Sequence, residues 1–371
     1  MTLSFDSPFT LCSYCRPFSF ARLSFFPYRL VTNSPRTHPQ VALINTNLRN
    51  KSLVHSIQVS GTKTVLFGPE FTSALSDVKD SLAPMGLRYL PQSELESALA
   101  STVATRLPKS ARKGLTIHST YSLTYTSGTT GLPKAAELVH FKQLGSGIYM
   151  SKMYNVTEHD RLYVCLPLYH SAAGAMSTSL AVSTGATMIL KRKFSASSFV
   201  SDIRQHKVTL FQYIGELCRY LLSTPETPLD GKNSLRIAFG NGLRADIWEK
   251  FQKRFNIPFV GELYAGTEHN VSIVGFLVDQ SGVGRGSFGR TGAILQRALN
   301  ARIAKFDVEK EELIRDKNGF CSLVADNEVG ELLGRVNDIF RFYGYHNNEK
   351  VNWKEKRKKK LSTIVFHHVF A

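Results

Sequence analysis

The chain has 371 residues, of which 43% are hydrophobic and 20% charged; this is the composition of an ordinary globular protein and excludes a fibrous or wholly disordered chain. A formal charge of +17 and a pI near 9.7 favour acidic partners, among them nucleotide phosphates and anionic headgroups, without choosing between them. No run reaches the roughly 18 apolar residues that a spanning helix needs, and five scattered cysteines fit a reducing compartment and not a disulfide scaffold.

Residues 1–40 are rich in Phe, Ser and Arg and hold a single acid, Asp6. That is the composition of an organelle transit peptide without its clean amphipathic helix, so the segment is left unplaced. Cys12-x-x-Cys15 has no second such pair and no nearby histidine to complete a zinc site. From Val41 the signals alternate: a helix over Lys51 to Val59, then a short buried strand at Thr64 to Phe67. Further strands are predicted at Tyr121 to Tyr125, Leu162 to Leu166, Thr187 to Leu190, Leu235 to Phe239 and Pro258 to Leu263. Helices are predicted at Phe141 to Met153, Ser197 to His206, Gln212 to Leu222 and Asp246 to Phe255. Strands alternating with helices predict an α/β fold of largely parallel sheets covered on both faces. Gly282 to Gly292 reads as a loop or domain junction. The block Lys354 to Lys360 reads as solvated and disordered. The domain reading is therefore 1–40 unplaced, 41–348 folded, and 349–371 a basic, disordered tail.

The most informative stretch is YTSGTTGLPK, Tyr125 to Lys134, directly after a predicted strand. Gly128 and Gly131 permit positive φ and close backbone approach, so consecutive N–H groups can converge on phosphate oxygens. Thr126, Ser127, Thr129 and Thr130 add hydroxyl donors, Pro133 stiffens the exit, and Lys134 supplies a mobile cation. The spacing excludes a Walker A loop, because Lys134 falls three positions after Gly131 and not directly after a glycine.

This run resembles the phosphate loop of the adenylate-forming superfamily, which holds acyl-CoA synthetases, luciferases and peptide-synthetase adenylation domains. Three stretches without chemistry of their own, QYIGELCRYLL from Gln212, GNGLRADIWEKFQKRF from Gly240 and LINTNLRNKSLVH from Leu43, narrow the resemblance to the fatty-acid transport protein and very-long-chain acyl-CoA synthetase branch. It extends from about Val41 to Asn348. The resemblance implies the superfamily's large N-terminal domain, parallel sheets flanked by helices plus a small β subdomain. That domain is expected incomplete and without the small C-terminal domain.

It also implies roles. In GELYAGTEHN, from Gly261, Tyr264 would lie against the adenine, Thr267 near the α-phosphate and Glu268 on Mg²⁺, as suits an aromatic face, a hydroxyl and a hard oxygen ligand. The element departs from the branch at Gly266 and at His269, whose side chain is bulkier than the usual glycine. Gly240, Asn241 and Gly242 resemble the turn on which the adenine lies. Tyr169 and His170, within LPLYHS, resemble the segment lining the acyl channel; a structural histidine stays open as the other reading of His170.

The implied substrates are ATP with Mg²⁺, CoA, and a long-chain or very-long-chain fatty acid, with peripheral contact at a membrane of the endoplasmic reticulum, peroxisome, lipid droplet or plasma membrane. Nucleic acid is not expected, since no aromatic-interleaved RNA motif or C₂H₂ pattern is present. Members of the branch continue past the EVGELLG element to a ribose-binding Asp, a hinge and a catalytic Lys. No residue here answers to those three. Two readings of the chain stay open: a fatty acid–CoA ligase, or a nucleotide- and fatty-acid-binding paralogue that cannot complete the thioester.

Overall fold

A computed structural model describes residues 9–11, 28–34, 37–102, 110, 113–126, 131–267, 272–287, 301–310, 312–325, 328–336, 341–347 and 363–369. Its elements begin with β1 (Phe9–Leu11), β2 (Tyr28–Ser34), β3 (Thr37–Leu43), α1 (Asn50–Val59), β4 (Thr64–Phe67), α2 (Thr72–Ser76), α3 (Lys79–Leu82), β5 (Arg88–Pro91) and α4 (Gln92–Ser101). There follow β6 (Thr120–Thr126), β7 (Lys134–Val139), α5 (His140–Met153), β8 (Arg161–Val164), α6 (Thr178–Thr184), β9 (Thr187–Leu190), α7 (Phe199–Gln205), β10 (Leu210–Ile214) and α8 (Gly215–Ser223). The chain continues through β11 (Ile237–Asn241), α9 (Ala245–Arg254), β12 (Phe259–Ala265), β13 (Ser272–Val278), β14 (Ala301–Ala304), β15 (Phe306–Asp307), β16 (Glu312–Leu313), β17 (Gly330–Arg335) and β18 (Thr363–Val369).

Two sheets carry the structure. The larger runs β1-β9-β8-β10-β11-β12-β13. Its strands β9, β8, β10, β11 and β12 are parallel neighbours, while β1 and β13 pair antiparallel at the edges. The apolar runs TMIL and LFQYI make central parallel strands because both faces are covered. Helix α9 shows how: Trp248 and Phe251, with Phe255 just beyond, repeat at helical spacing and are fully buried. The second sheet runs β5-β4-β2-β3-β6-β7 and has its own core, in which Leu53 and Ile57 of α1 pack with Val65 and Leu123. Smaller sheets join β14, β17 and β18, and β15 with β16.

Helix α5 links the two large sheets. It leaves β7 directly and packs on α6, where a side chain at Gly147 would run into Ser179 and Ser183, so the two helices meet with almost no intervening side chain. Among the described residues no helix is long and apolar enough to cross a membrane.

The structure differs from the sequence reading in four places. Gln212 to Ile214 is the end of strand β10, and helix begins only at Gly215; a short buried apolar run carries no period that separates strand from helix. The second sheet is mixed: only β3 with β6 and β4 with β5 pair parallel. Residues 28–34 and 37–40, within the segment left unplaced, lie in β2 and β3. Residues 363–369, within the tail expected to be disordered, pair antiparallel with β17. The block Lys354 to Lys360, the pair Cys12 and Cys15, and residues 288–292 of the glycine-rich stretch lie outside the described residues.

Candidate active site

Strands β6 and β7 are antiparallel, with Thr126 opposite Lys134, so the glycine-rich run is the closed end of a hairpin. Gly131 has φ +93°, a backbone that favours glycine. Ser127, Gly128, Thr129 and Thr130 lie outside the described residues. The base of the hairpin is anchored on α1: His55 Nε2 bonds to the Pro133 carbonyl at 3.0 Å, and the Tyr125 hydroxyl donates to the Ser56 carbonyl at 2.6 Å. Burial pushes the Tyr125 phenol well above its ordinary range. At the mouth of the loop Thr126 Oγ1 is buried without a partner among the described residues. A hydroxyl so placed costs about 1–3 kcal/mol unless a ligand or water satisfies it.

Lys134 Nζ lies 5.4 Å from the centroid of the Tyr345 ring. Residues 344–346 run beside β7 as a short rung: Glu137 N–H donates to the Gly344 carbonyl at 3.3 Å and His346 N–H to the Ala135 carbonyl at 2.8 Å. His346 Nδ1 and Glu137 Oε1 are 2.8 Å apart and hold the rung in place.

On the other sheet, β11 ends in Gly240 and Asn241, and Gly242 follows. A side chain at Gly240 would strike the Tyr213 carbonyl and ring, and one at Gly215 would strike the Gly242 carbonyl. The turn therefore lies flat on the start of α8. Glu262, in register with Gly240 on the neighbouring strand, fixes it: its carboxylate accepts the Gly242 N–H, the Leu243 N–H at 3.2 Å and the Tyr213 hydroxyl at 2.7 Å. Only 7% of Glu262 is exposed. Burial raises its carboxyl to about 7, against the opposing pull of the bonds from Tyr213, Leu243 and Gly242. Asn241 is exposed, so the outer side of the turn is open. Tyr264 is half-buried two residues along β12, on the same side of the strand as Glu262.

Thr267 joins three elements. Its hydroxyl bonds to the Ser171 hydroxyl at 2.7 Å, and its carbonyl accepts from Lys142 Nζ of α5 at 2.9 Å. Ser171 closes the LPLYHS segment. Within that segment burial raises the Tyr169 phenol, against the opposing pull of the Asn47 and Thr46 side chains before α1. His170 Nδ1 accepts the Ala172 N–H at 3.2 Å, which in the neutral ring leaves the proton on Nε2, and partial loss of hydration lowers its pKa. A π-helical turn, Ala172–Ser177, follows; Gln212 holds it by donating to the Ala172 carbonyl at 2.6 Å and accepting from Ser177. Such turns gather at functional sites. Glu268 and His269 lie outside the described residues, among which no group of three or more His, Cys, Asp or Glu is placed to hold a metal.

The profile of the AMP-binding enzyme family matches residues 40–344. The chain belongs to that family. It is 36% identical over 325 residues to long-chain fatty acid transport protein 2 of Rattus norvegicus, covering 85% of this chain and 52% of that protein. To long-chain fatty acid transport protein 6 of Homo sapiens it is 37% identical over 314 residues, covering 82% and 49%. This AMP-binding chain thus spans about half the length of these relatives. Its fold is that of the N-terminal domain of FACL13 from Mycobacterium tuberculosis, with TM-score 0.66, 19% identity, and coverage of 87% of this chain and 75% of that one. The anthranilate CoA ligase AuaEII in complex with anthranoyl-AMP has TM-score 0.71, 17% identity, and coverage of 89% and 60%. ATP-bound MatB from Rhodopseudomonas palustris has TM-score 0.66, 18% identity, and coverage of 87% and 59%.

Within this AMP-binding fold the residues named from sequence fall into two groups, with a third between them. Thr126, Gly131 and Lys134 belong to the hairpin; Gly240, Asn241, Gly242 and Tyr264 belong to adjacent strands of the larger sheet; Thr267 bridges to Tyr169 and His170 through Ser171. Sequence reasoning passed over Glu262, Tyr213, Ser171 and Lys142. The signal for Glu262 was present: a carboxylate among apolar strand residues, LYA after it and FV before, needs polar partners.

Proposed function

We propose that this chain forms the nucleotide- and acyl-binding part of a ligase that activates long-chain or very-long-chain fatty acids. In the first step one carboxylate oxygen attacks the α-phosphorus of ATP, the bond to the pyrophosphate oxygen breaks, and acyl-AMP and pyrophosphate result. In the second the CoA thiol attacks the acyl carbon, its proton is lost, and AMP leaves. The carboxylate is already an anion, so positioning and charge neutralisation carry the first step and no activating base is required.

The observation that carries the reading is the hairpin, which sets Thr126, whose buried Oγ1 has no partner among the described residues, opposite Lys134 across the strand pair, with a glycine at φ +93° on the returning side. Phosphate oxygens would satisfy that hydroxyl. In this reading Thr126, Ser127, Gly128, Thr129, Thr130 and Gly131 hold the outer phosphates with Lys134. The adenine lies between the Gly240 to Gly242 turn and Tyr264, and Thr267 meets the α-phosphate. Mg²⁺ would be held by Glu268 with phosphate oxygens, supplying neutralisation of triphosphate charge. Tyr169 and His170 line the path of the acyl chain. Support for the acyl substrate comes from the relatives, which are long-chain fatty acid transport proteins; peripheral contact with a membrane belongs to the same proposal.

The test is pyrophosphate release from ATP, Mg²⁺ and a long-chain or very-long-chain fatty acid, comparing the chain with Lys134→Ala. Loss of one cation at the reacting phosphates is expected to slow release about 100-fold. Equal rates would remove the loop from the mechanism. Nucleotide binding with no release from either protein would instead favour a binding paralogue.

A further inference from the structure

Helix α5 places a lysine where helix electrostatics disfavours one. Lys142 is in the first turn, beside the positive end of the helix dipole, and that turn holds no acidic residue and no side-chain cap. The leading amides are used locally, His140 N–H on the Ser119 carbonyl at 3.2 Å and Phe141 N–H on the Ile117 carbonyl at 2.6 Å. What the helix start presents is therefore the Lys142 ammonium.

The surroundings aim that ammonium. It donates to the Thr267 carbonyl at 2.9 Å and lies 5.7 Å from the centroid of the Tyr343 ring. Tyr343 is itself fixed, its hydroxyl 2.5 Å from His118 Nδ1. The same short segment thus presents one tyrosine face to Lys134 and another to Lys142, with Gly344, at φ +69°, turning the chain between them. Two lysines from different elements are held alike, one at the hairpin and one at Thr267. A conflict with local helix rules that tertiary contacts sustain is the mark of a functional position.

We infer that Lys142 is a further binding residue of this site, a second cation that holds the inner phosphate of the nucleotide at Thr267, while Lys134 serves the outer phosphates. The inference rests on the nucleotide reading above. The chemistry is that of a phosphate monoester: with Ser171 as the donor of the bond between the two hydroxyls, Thr267 has its own proton to offer, and the ammonium held on the Thr267 carbonyl offers a charge-assisted second bond.

Calorimetric titration of the full chain with AMP, with pyrophosphate and Mg²⁺, and with a fatty acid separates the possibilities. Lys142→Gln is expected to weaken AMP at least about tenfold, as loss of a charge-assisted bond does, and to leave pyrophosphate within about threefold. Lys142→Arg, which keeps the charge, should retain AMP within the same margin, and Lys134→Ala should show the reverse selectivity. Unchanged AMP affinity in Lys142→Gln overturns the assignment, as does loss confined to the fatty acid. Equal loss of AMP and pyrophosphate with a lowered melting temperature also overturns it, because it marks a purely structural lysine. Absence of AMP and pyrophosphate binding by the unmodified chain would instead overturn the nucleotide reading, and this inference with it.

Discussion

Glu262 is a carboxylate 7% exposed whose neighbours from the packed elements are Tyr213 on β10, Cys218 on α8 and Tyr154 beyond α5, all neutral acids. Burial therefore wins over its three hydrogen bonds and raises the carboxyl from 4.5 to about 7. The unfolded chain releases this proton near its ordinary pKa, while the folded chain keeps it until about 7. Between those values the folded state binds more protons, so the contribution is greatest at low pH, falls as pH rises through the window and is flat above it. It amounts to roughly 3 kcal/mol. Glu262→Gln can still accept from Gly242 and Leu243 but has no proton to lose. Urea denaturation of both proteins across that window should show the stability of the unmodified chain falling by roughly that amount relative to the variant; a constant difference would rule out a protonated Glu262. Thr126, Gly131 and Lys134 were readable because their chemistry is contiguous in sequence, whereas Lys142 and Thr267 meet across 125 residues and only folding discloses the pair.

At the scale of elements, the glycine turn after β11 has two glycines with different reasons. Gly242 needs its backbone, at φ +79°, while a side chain there would meet the Gly215 nitrogen at an ordinary 3.9 Å; Gly240 has ordinary backbone but faces the Tyr213 carbonyl and ring. Gly242→Ala should thus destabilise by about 1 kcal/mol through conformation alone. Gly240→Ala must move the β10 backbone, and overpacking of that kind costs about 1–3 kcal/mol. It should also weaken AMP more than the Gly242 variant does, because the displaced surface is the one proposed to face the base. Thermal melts with AMP titration check both, and equal effects would mean that the turn adapts freely. The apolar strands β4 and β9 were legible to the residue, since TVLF lies between two glycine-containing turns and TMIL runs from a glycine turn into the charged run at Lys191 to Lys193. Strand β7 was not, because KAAELV alternates weakly and follows Pro133, so its place is decided by pairing with β6. The small strands β14 to β17 pair mainly with one another, and no period in sequences of two to six residues marks them.

For the molecule as a whole, the residues proposed to meet ATP come from both large sheets: the hairpin from one, the Gly240 to Gly242 turn and Tyr264 from the other. Among the described residues, polar contacts at the junction between them include Lys142 to Thr267 and Arg192 to Glu70. A ligand that touches both sides adds contacts the free protein lacks and should stabilise the junction from each side at once. Pyrophosphate, which in the proposed arrangement meets only the hairpin, should not reach the turn. Hydrogen exchange distinguishes these cases, because local opening is read amide by amide. With saturating ATP and Mg²⁺, amides of residues 131–136 and of 240–243 should both slow; with pyrophosphate and Mg²⁺, only the first set. Slowing by ATP at the hairpin alone would mean that the base binds away from the glycine turn. Slowing at both sites by pyrophosphate would mean that the two sheets close as one body on phosphate alone, with the base as a passenger.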